Sequence, residues 1–145
     1  SNICRSPMAQ SVAMKLAAEA GLAHRLHFDS TGTHASHRGE RPDRRAALAL
    51  SHRGYELVKT RSRRIELADF ENFDHVLAMD AVNLAAIHRL APPAHSSKVR
   101  LFMSFAEDLN ETEIPDPYFG NAEGFDRVLD LCEAGARGLI KHYAL

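Results

Sequence analysis

The sequence predicts an α/β domain in which a small open parallel sheet is flanked by helices. Two observations carry this. Strand-like apolar runs alternate along the chain with segments of helical period, the order that parallel strands joined by crossover helices require. The length, 145 residues, and the balance of 45% hydrophobic with 26% charged residues fit one globular domain spanning 1–145.

The elements follow in order. Ser6-Pro7-Met8-Ala9-Gln10 has helix-start chemistry. Ser6 is placed to cap, Pro7 suits the first turn, and Gln10 is placed to reach back toward the cap. Val12, Leu16 and Ala20 continue an apolar face, and Gly21 supplies the stop. A short strand is expected at Leu26 to Asp29, closed by Ser30-Thr31-Gly32, and a second helix from Pro42 to Arg53, stopped by Gly54. Phe73 to Met79 reads as a buried strand ending at Asp80, and Ala81 to Leu90 as a helix broken by Pro92-Pro93. Val99 to Met103 predicts another strand. A long helix follows from Glu123 to His142, with Phe125, Val128, Leu129, Cys132, Ala136, Leu139 and Ile140 on its inner face. Three strands are few for a sheet covered on both faces. A further strand is therefore expected ahead of Ser1, and in such folds the first strand often feeds the ligand loop.

Composition excludes several classes. No apolar run approaches the ~18 residues of a membrane span, so no membrane partner is expected. Two cysteines, Cys4 and Cys132, make no disulfide framework, and free thiols predict a reducing, cytoplasmic location. The sequon at Asn110 then reads as chance. Net charge is −1, yet residues 34–64 hold nine Lys or Arg against three acids, and residues 104–133 hold nine acids against Arg127. This pattern reads either as two solvated faces or as a basic rim that attracts anions. The basic stretch lacks interleaved aromatics, so no nucleic-acid partner is expected. Nine histidines include pairs three apart (His24 and His27, His34 and His37), but no cysteine or carboxylate cluster completes a ligand set, so neither metal nor other cofactor is expected.

Two motifs carry chemistry. Ser1-Asn2-Ile3-Cys4-Arg5-Ser6-Pro7 is a loop entering a capped helix, where free backbone N–H groups and the positive end of the helix dipole favour an anion. Arg5 adds a planar fork that matches two phosphate oxygens. An ordinary helix cap beside a solvated arginine fits the Ser-Pro signal alone equally well. Near the other end, Pro115-Asp116-Pro117-Tyr118-Phe119-Gly120 holds a carboxylate between two prolines on a stiff extended loop, which suits a positioned acid or a plain turn.

Taken together, Asn-Ile-Cys-Arg-Ser-Pro-Met-Ala and Asp-Pro-Tyr resemble the phosphate loop and acid loop of low-molecular-weight protein tyrosine phosphatases. Asp29-Ser30-Thr31-Gly32-Thr33, Pro42-Asp43, Arg45-Ala46, Met79-Asp80 and Asn83-Leu84 follow the family pattern too, so the resemblance covers the chain. It implies a flavodoxin-like architecture and hydrolysis of phosphotyrosine or other aryl phosphates through a phosphocysteine intermediate. It also implies a phosphotyrosine protein as substrate, phosphate or another oxyanion in the loop, and a monomer. The family loop is a cysteine, five residues and an arginine, so the nucleophile is expected two residues before Ser1. Cys4 is the neighbouring second cysteine, implied as a redox partner of the nucleophile. By the same resemblance Ser1, Asn2, Ile3, Cys4 and Arg5 bind phosphate, Ser6 assists the thiolate, and Asp116 is the general acid. Tyr118 and Phe119 line the groove, with Phe119 in place of a second tyrosine. Ser36 stands where an aromatic groove wall is common, and Thr60 where a histidine often supports the loop; its hydroxyl is expected to bond Asn2 or Ser6. Two other readings compete. One is a non-catalytic phosphoprotein-binding module, for which a leaving-group acid at Asp116 has no use. The other is an arsenate reductase of the same fold, which needs relay cysteines that are absent between Cys4 and Cys132.

Overall fold

A computed structural model describes residues 2–34, 36–107 and 109–144. The helices are α1 (Arg5–Glu19), α2 (Arg44–His52), α3 (Leu67–Asn72), α4 (Ala81–Leu90) and α5 (Ala122–Tyr143), and the strands are β1 (Val76–Ala78) and β2 (Val99–Leu101). Short 3₁₀ turns at Pro93–Lys98 and Phe102–Phe105 flank β2. β1 and β2 pair in parallel with Val76 opposite Val99 and Ala78 opposite Leu101. The α/β class with a small parallel sheet is therefore observed.

Each helix begins for a local reason. Asp43 caps α2 through Arg45 N at 2.8 Å, Asp80 caps α4 through Asn83 N at 2.8 Å, and Asn121 caps α5 through Gly124 N. The unforeseen α3 is a single capped turn and a half: Glu66 and Asp69 form a reciprocal capping box, and Phe70 is its fully buried anchor. So few residues have no periodicity to read.

Three local expectations are corrected. The cap of α1 is Cys4, with no side-chain cap bond, and Ser6 instead donates to Thr31 O at 3.3 Å. Gln10 does not turn back to the helix start. Its Nε2 donates to Phe28 O and its Oε1 accepts from Ser30 Oγ, so the amide fastens α1 to segment 28–30. That segment, expected as a strand at 26–29, carries no ladder among the described residues. Its nearest sheet pairing is one parallel bridge, Gly32 with Arg64. A strand is defined by a paired neighbour, and strand-like composition alone does not supply one.

The main core lies where α1, α2 and α5 meet. Met8, Val12, Leu50, Phe125, Val128, Leu129 and Cys132 are buried there, joined by Ile114 from the loop that precedes Asp116. A second cluster of Ile65, Phe70, Ala78, Ile87 and Val99 packs around the strands. All seven residues expected on the inner face of the last helix are buried. Glycine permits the closest contact. A Cβ at Gly138 would sit 1.7 Å from the Phe105 carbonyl oxygen, so α5 reaches the 3₁₀ turn only because that atom is missing.

The oppositely charged stretches are partly joined rather than left as two solvated faces. Arg53 of the basic stretch bridges Asp130 at 2.8 Å and Glu133 at 2.9 Å on α5.

Candidate active site

The residues that lead into α1 are held from behind. Asn2 is buried at φ +60°, a left-handed conformation that asparagine tolerates better than most residues. Its amide donates to Ser30 Oγ at 3.0 Å and accepts from Arg63 N at 3.1 Å. Ile3 O accepts from Asp43 N at 2.7 Å, tying the loop to the start of α2. Ser1 lies outside the described residues. Arg63 is itself braced by Asp69 and Asp29, and these hydrogen bonds, to Asp69 first, raise its already high pKa.

Arg5 is the hub. Its Nη1 donates to Asp80 Oδ2 at 2.7 Å and to Ile114 O at 2.8 Å, and Nη2 donates to Asn83 Oδ1 at 3.4 Å. One side chain thus connects the start of α1, the end of β1, the first turn of α4 and the loop that precedes Asp116. Burial alone would raise the Asp80 carboxyl, but the Arg5 hydrogen bond and the Asn83 N–H outweigh it and hold the group below the usual range. Among the described residues Nε has no protein acceptor, so that edge of the guanidinium is available to an anion.

Cys4 is chemically quiet. It is 5% exposed, and burial, followed by the charges of Asp43 and Asp116, pushes its thiol up to about 12. At neutral pH it is a thiol rather than a thiolate, hence a poor nucleophile. Cys132 is fully buried on α5.

The Pro115-Asp116-Pro117 loop arrives from the far end of the chain. Ile114 N donates to Met79 O at 2.8 Å, which registers the loop against the end of β1. Asp116 is exposed, accepts from Tyr118 N at 3.0 Å, and lines the same cavity as Asn2, Arg5 and Tyr118. Tyr118 and Phe119 stack edge to face at 4.9 Å, with Phe119 96% exposed.

These contacts point to oxyanion chemistry. The sequence family described as low molecular weight phosphotyrosine protein phosphatase matches residues 1–144. The chain belongs to that family. Among its relatives, the low molecular weight protein-tyrosine-phosphatase of Streptomyces coelicolor is 39% identical over 142 residues, covering 96% of this chain and 86% of that protein. The Schizosaccharomyces pombe low molecular weight phosphotyrosine protein phosphatase is 42% identical over 125 residues, covering 86% and 80%. A crystal structure of a protein tyrosine phosphatase from Entamoeba histolytica, with Hepes in its active site, superposes with a TM-score of 0.94 at 35% identity, covering 98% of this chain and 90% of that one.

Against the family pattern, two positions change meaning. Thr60 is half-buried but bonds neither Asn2 nor Ser6, whose partners among the described residues are Ser30, Arg63 and Thr31. A threonine hydroxyl stands only two bonds from its Cα, too short a reach to replace an imidazole. Ser36 is exposed, and the ring nearest Tyr118 on that loop is its neighbour His37, at 5.5 Å. His37 also pairs with Glu40. The sequence reading passed over Asp80, Asn83, Ser30 and His37 in these roles. Asp80 had a usable signal: a carboxylate at the carboxyl end of a parallel strand, opening a helix, sits where α/β folds place ligands.

Proposed function

We propose that the protein is a protein-tyrosine phosphatase acting on phosphotyrosine or other aryl phosphates through a phosphocysteine intermediate. The observation that carries this is the Arg5 hub, which leaves one guanidinium edge to an anion and ties the loop to the chain that bears Asp116. The nucleophile is a cysteine two residues ahead of Ser1, the register set by Arg5 in a loop of cysteine, five residues and arginine. The state of Cys4 supports that register, because a buried thiol pushed up to about 12 is unsuited to attack.

In this reading the thiolate attacks phosphorus in line with the ester oxygen. Arg5 and the N–H groups of residues 1–5 take the equatorial oxygens, whose charge grows in the transition state. Asp116 protonates the leaving phenolate, then accepts a proton from the water that hydrolyses the phosphocysteine. Ser6, whose hydroxyl otherwise donates to Thr31 O, assists the thiolate as it leaves. The rings of Tyr118 and Phe119 flank the aryl group.

Hydrolysis of p-nitrophenyl phosphate by full-length protein tests the proposal. Asp116→Ala is expected to lower kcat by about 10²–10⁴-fold, while Cys4→Ser retains turnover. Unchanged turnover in the first variant would remove Asp116 from the acid role. Abolished turnover in the second, with the fold intact, would return Cys4 to consideration as nucleophile.

A further inference from the structure

A second cavity, of about 540 Å³, adjoins the first, and Ile3 and Tyr118 line both. A phosphotyrosine seated over the loop would therefore pass its neighbouring residues into this groove. Its walls come from the segment between His37 and Arg45. Two carboxylates lie there, and each already has a partner. Asp43 is held by Arg45 through Nε at 3.1 Å and Nη2 at 3.0 Å, and Glu40 is held by His37. The Arg45 guanidinium is further fixed between Tyr118 and Phe125, 5.5 and 4.9 Å from their ring centroids. Arg41 and Arg44 differ. Both are exposed, both line the groove, and neither has an ion pair or side-chain hydrogen bond among the described residues. Arg61, which is also exposed, donates through Nη1 to Gly39 O at 3.1 Å on the same segment.

We propose that this groove selects phosphotyrosine peptides with acidic residues next to the phosphotyrosine, Arg41 and Arg44 serving as the specificity-determining cations. The proposal deepens the phosphatase reading and rests on it. The physical reason is complementarity: two cations that line the groove without counter-ions among the described residues favour carboxylates and disfavour lysines. Because both are solvent-exposed, the effect is moderate and depends on salt.

The test uses full-length protein and three phosphotyrosine peptides of equal length, flanked by glutamate, alanine or lysine. Values of kcat/KM are expected to fall in that order, with glutamate over lysine by about tenfold at low ionic strength and by much less at ~0.5 M salt. The double variant Arg41→Glu, Arg44→Glu should flatten or invert the order and leave p-nitrophenyl phosphate turnover unchanged, since that substrate has no flanking residues. Arg44 opens α2, where an acidic residue suits the helix dipole, so the variant retains its fold; Arg41→Gln, Arg44→Gln gives a second, uncharged version. Equal kcat/KM across the peptides, or an order unchanged in both variants, overturns the proposal. Failure to hydrolyse p-nitrophenyl phosphate refutes the phosphatase reading instead. Polarisation titrations with phosphonate versions of the peptides then decide the groove separately: the same order of affinity supports it, and a flat series overturns it.

Discussion

Replacing Asp80 with asparagine keeps the volume and the helix cap of α4 and removes one charge. The wild-type carboxylate does two jobs, accepting from Arg5 at 2.7 Å and from Asn83 N at 2.8 Å. Asparagine caps nearly as well as aspartate, so the second contact survives. The first loses its charge assistance, and Arg5, whose side chain is only 11% exposed, keeps a largely desolvated cation without its counter-ion. A hydrogen bond to a charged group contributes about 1.5–3 kcal/mol, and breaking a fully buried pair costs about 3–5. With Asp80 24% exposed, the lower range applies, so Asp80→Asn is expected to lose about 1.5–3 kcal/mol. Asp80→Ala should lose about 1 kcal/mol more, because the cap goes too. Urea unfolding at pH 7 measures both. The pH dependence supplies a sign. Asp80 is held below its ordinary value in the folded state, so its contribution is present above the unfolded pKa of about 3.9 and is lost as pH falls through the lower folded value. The gap between wild type and Asp80→Asn should therefore hold from pH 5 to 8 and close in more acid solution. A variant within about 0.5 kcal/mol of wild type at pH 7, or a gap that widens on acidification, would refute the hub as described.

Two further substitutions probe the scaffold. Gly138→Ala places a carbon 1.7 Å from the Phe105 carbonyl oxygen, and the overpacking penalty of about 1–3 kcal/mol outweighs the gain of ~1 from alanine's helix propensity. Calorimetry should show a lower Tm, and a raised one would mean that α5 and the 3₁₀ turn do not meet this closely. Ser30→Ala deprives the buried amides of Asn2 and Gln10 of one partner each, for an expected loss of about 1–3 kcal/mol by chemical denaturation. It should also weaken inorganic phosphate binding, since Asn2 is left at φ +60° with one anchor fewer; unchanged phosphate affinity would separate Ser30 from the loop.

Much of this molecule was readable in order along the chain. Helical period and capping residues located α2, α4 and α5 to within a residue or two, because those signals lie within one or two turns of sequence. The two motifs and their resemblance pointed to the family, since loop chemistry is written in adjacent residues. What escaped was decided by contacts across the chain. Segment 26–29 has strand composition but no ladder, because pairing belongs to a neighbour rather than to the segment itself. Gln10 looked like a capping residue and serves as a fastener to residues 28–30. Thr60 looked like a loop support, but Ser30 and the backbone of Arg63 occupy those positions. The sequence by itself determined that a loop bearing Arg5 opens α1 and that a proline-flanked aspartate lies far downstream. Only the tertiary structure decided that Arg5 joins them, through Asp80, Asn83 and the carbonyl of Ile114. A guanidinium reaches across space to partners more than 70 positions away, and no local pattern encodes which ones it meets.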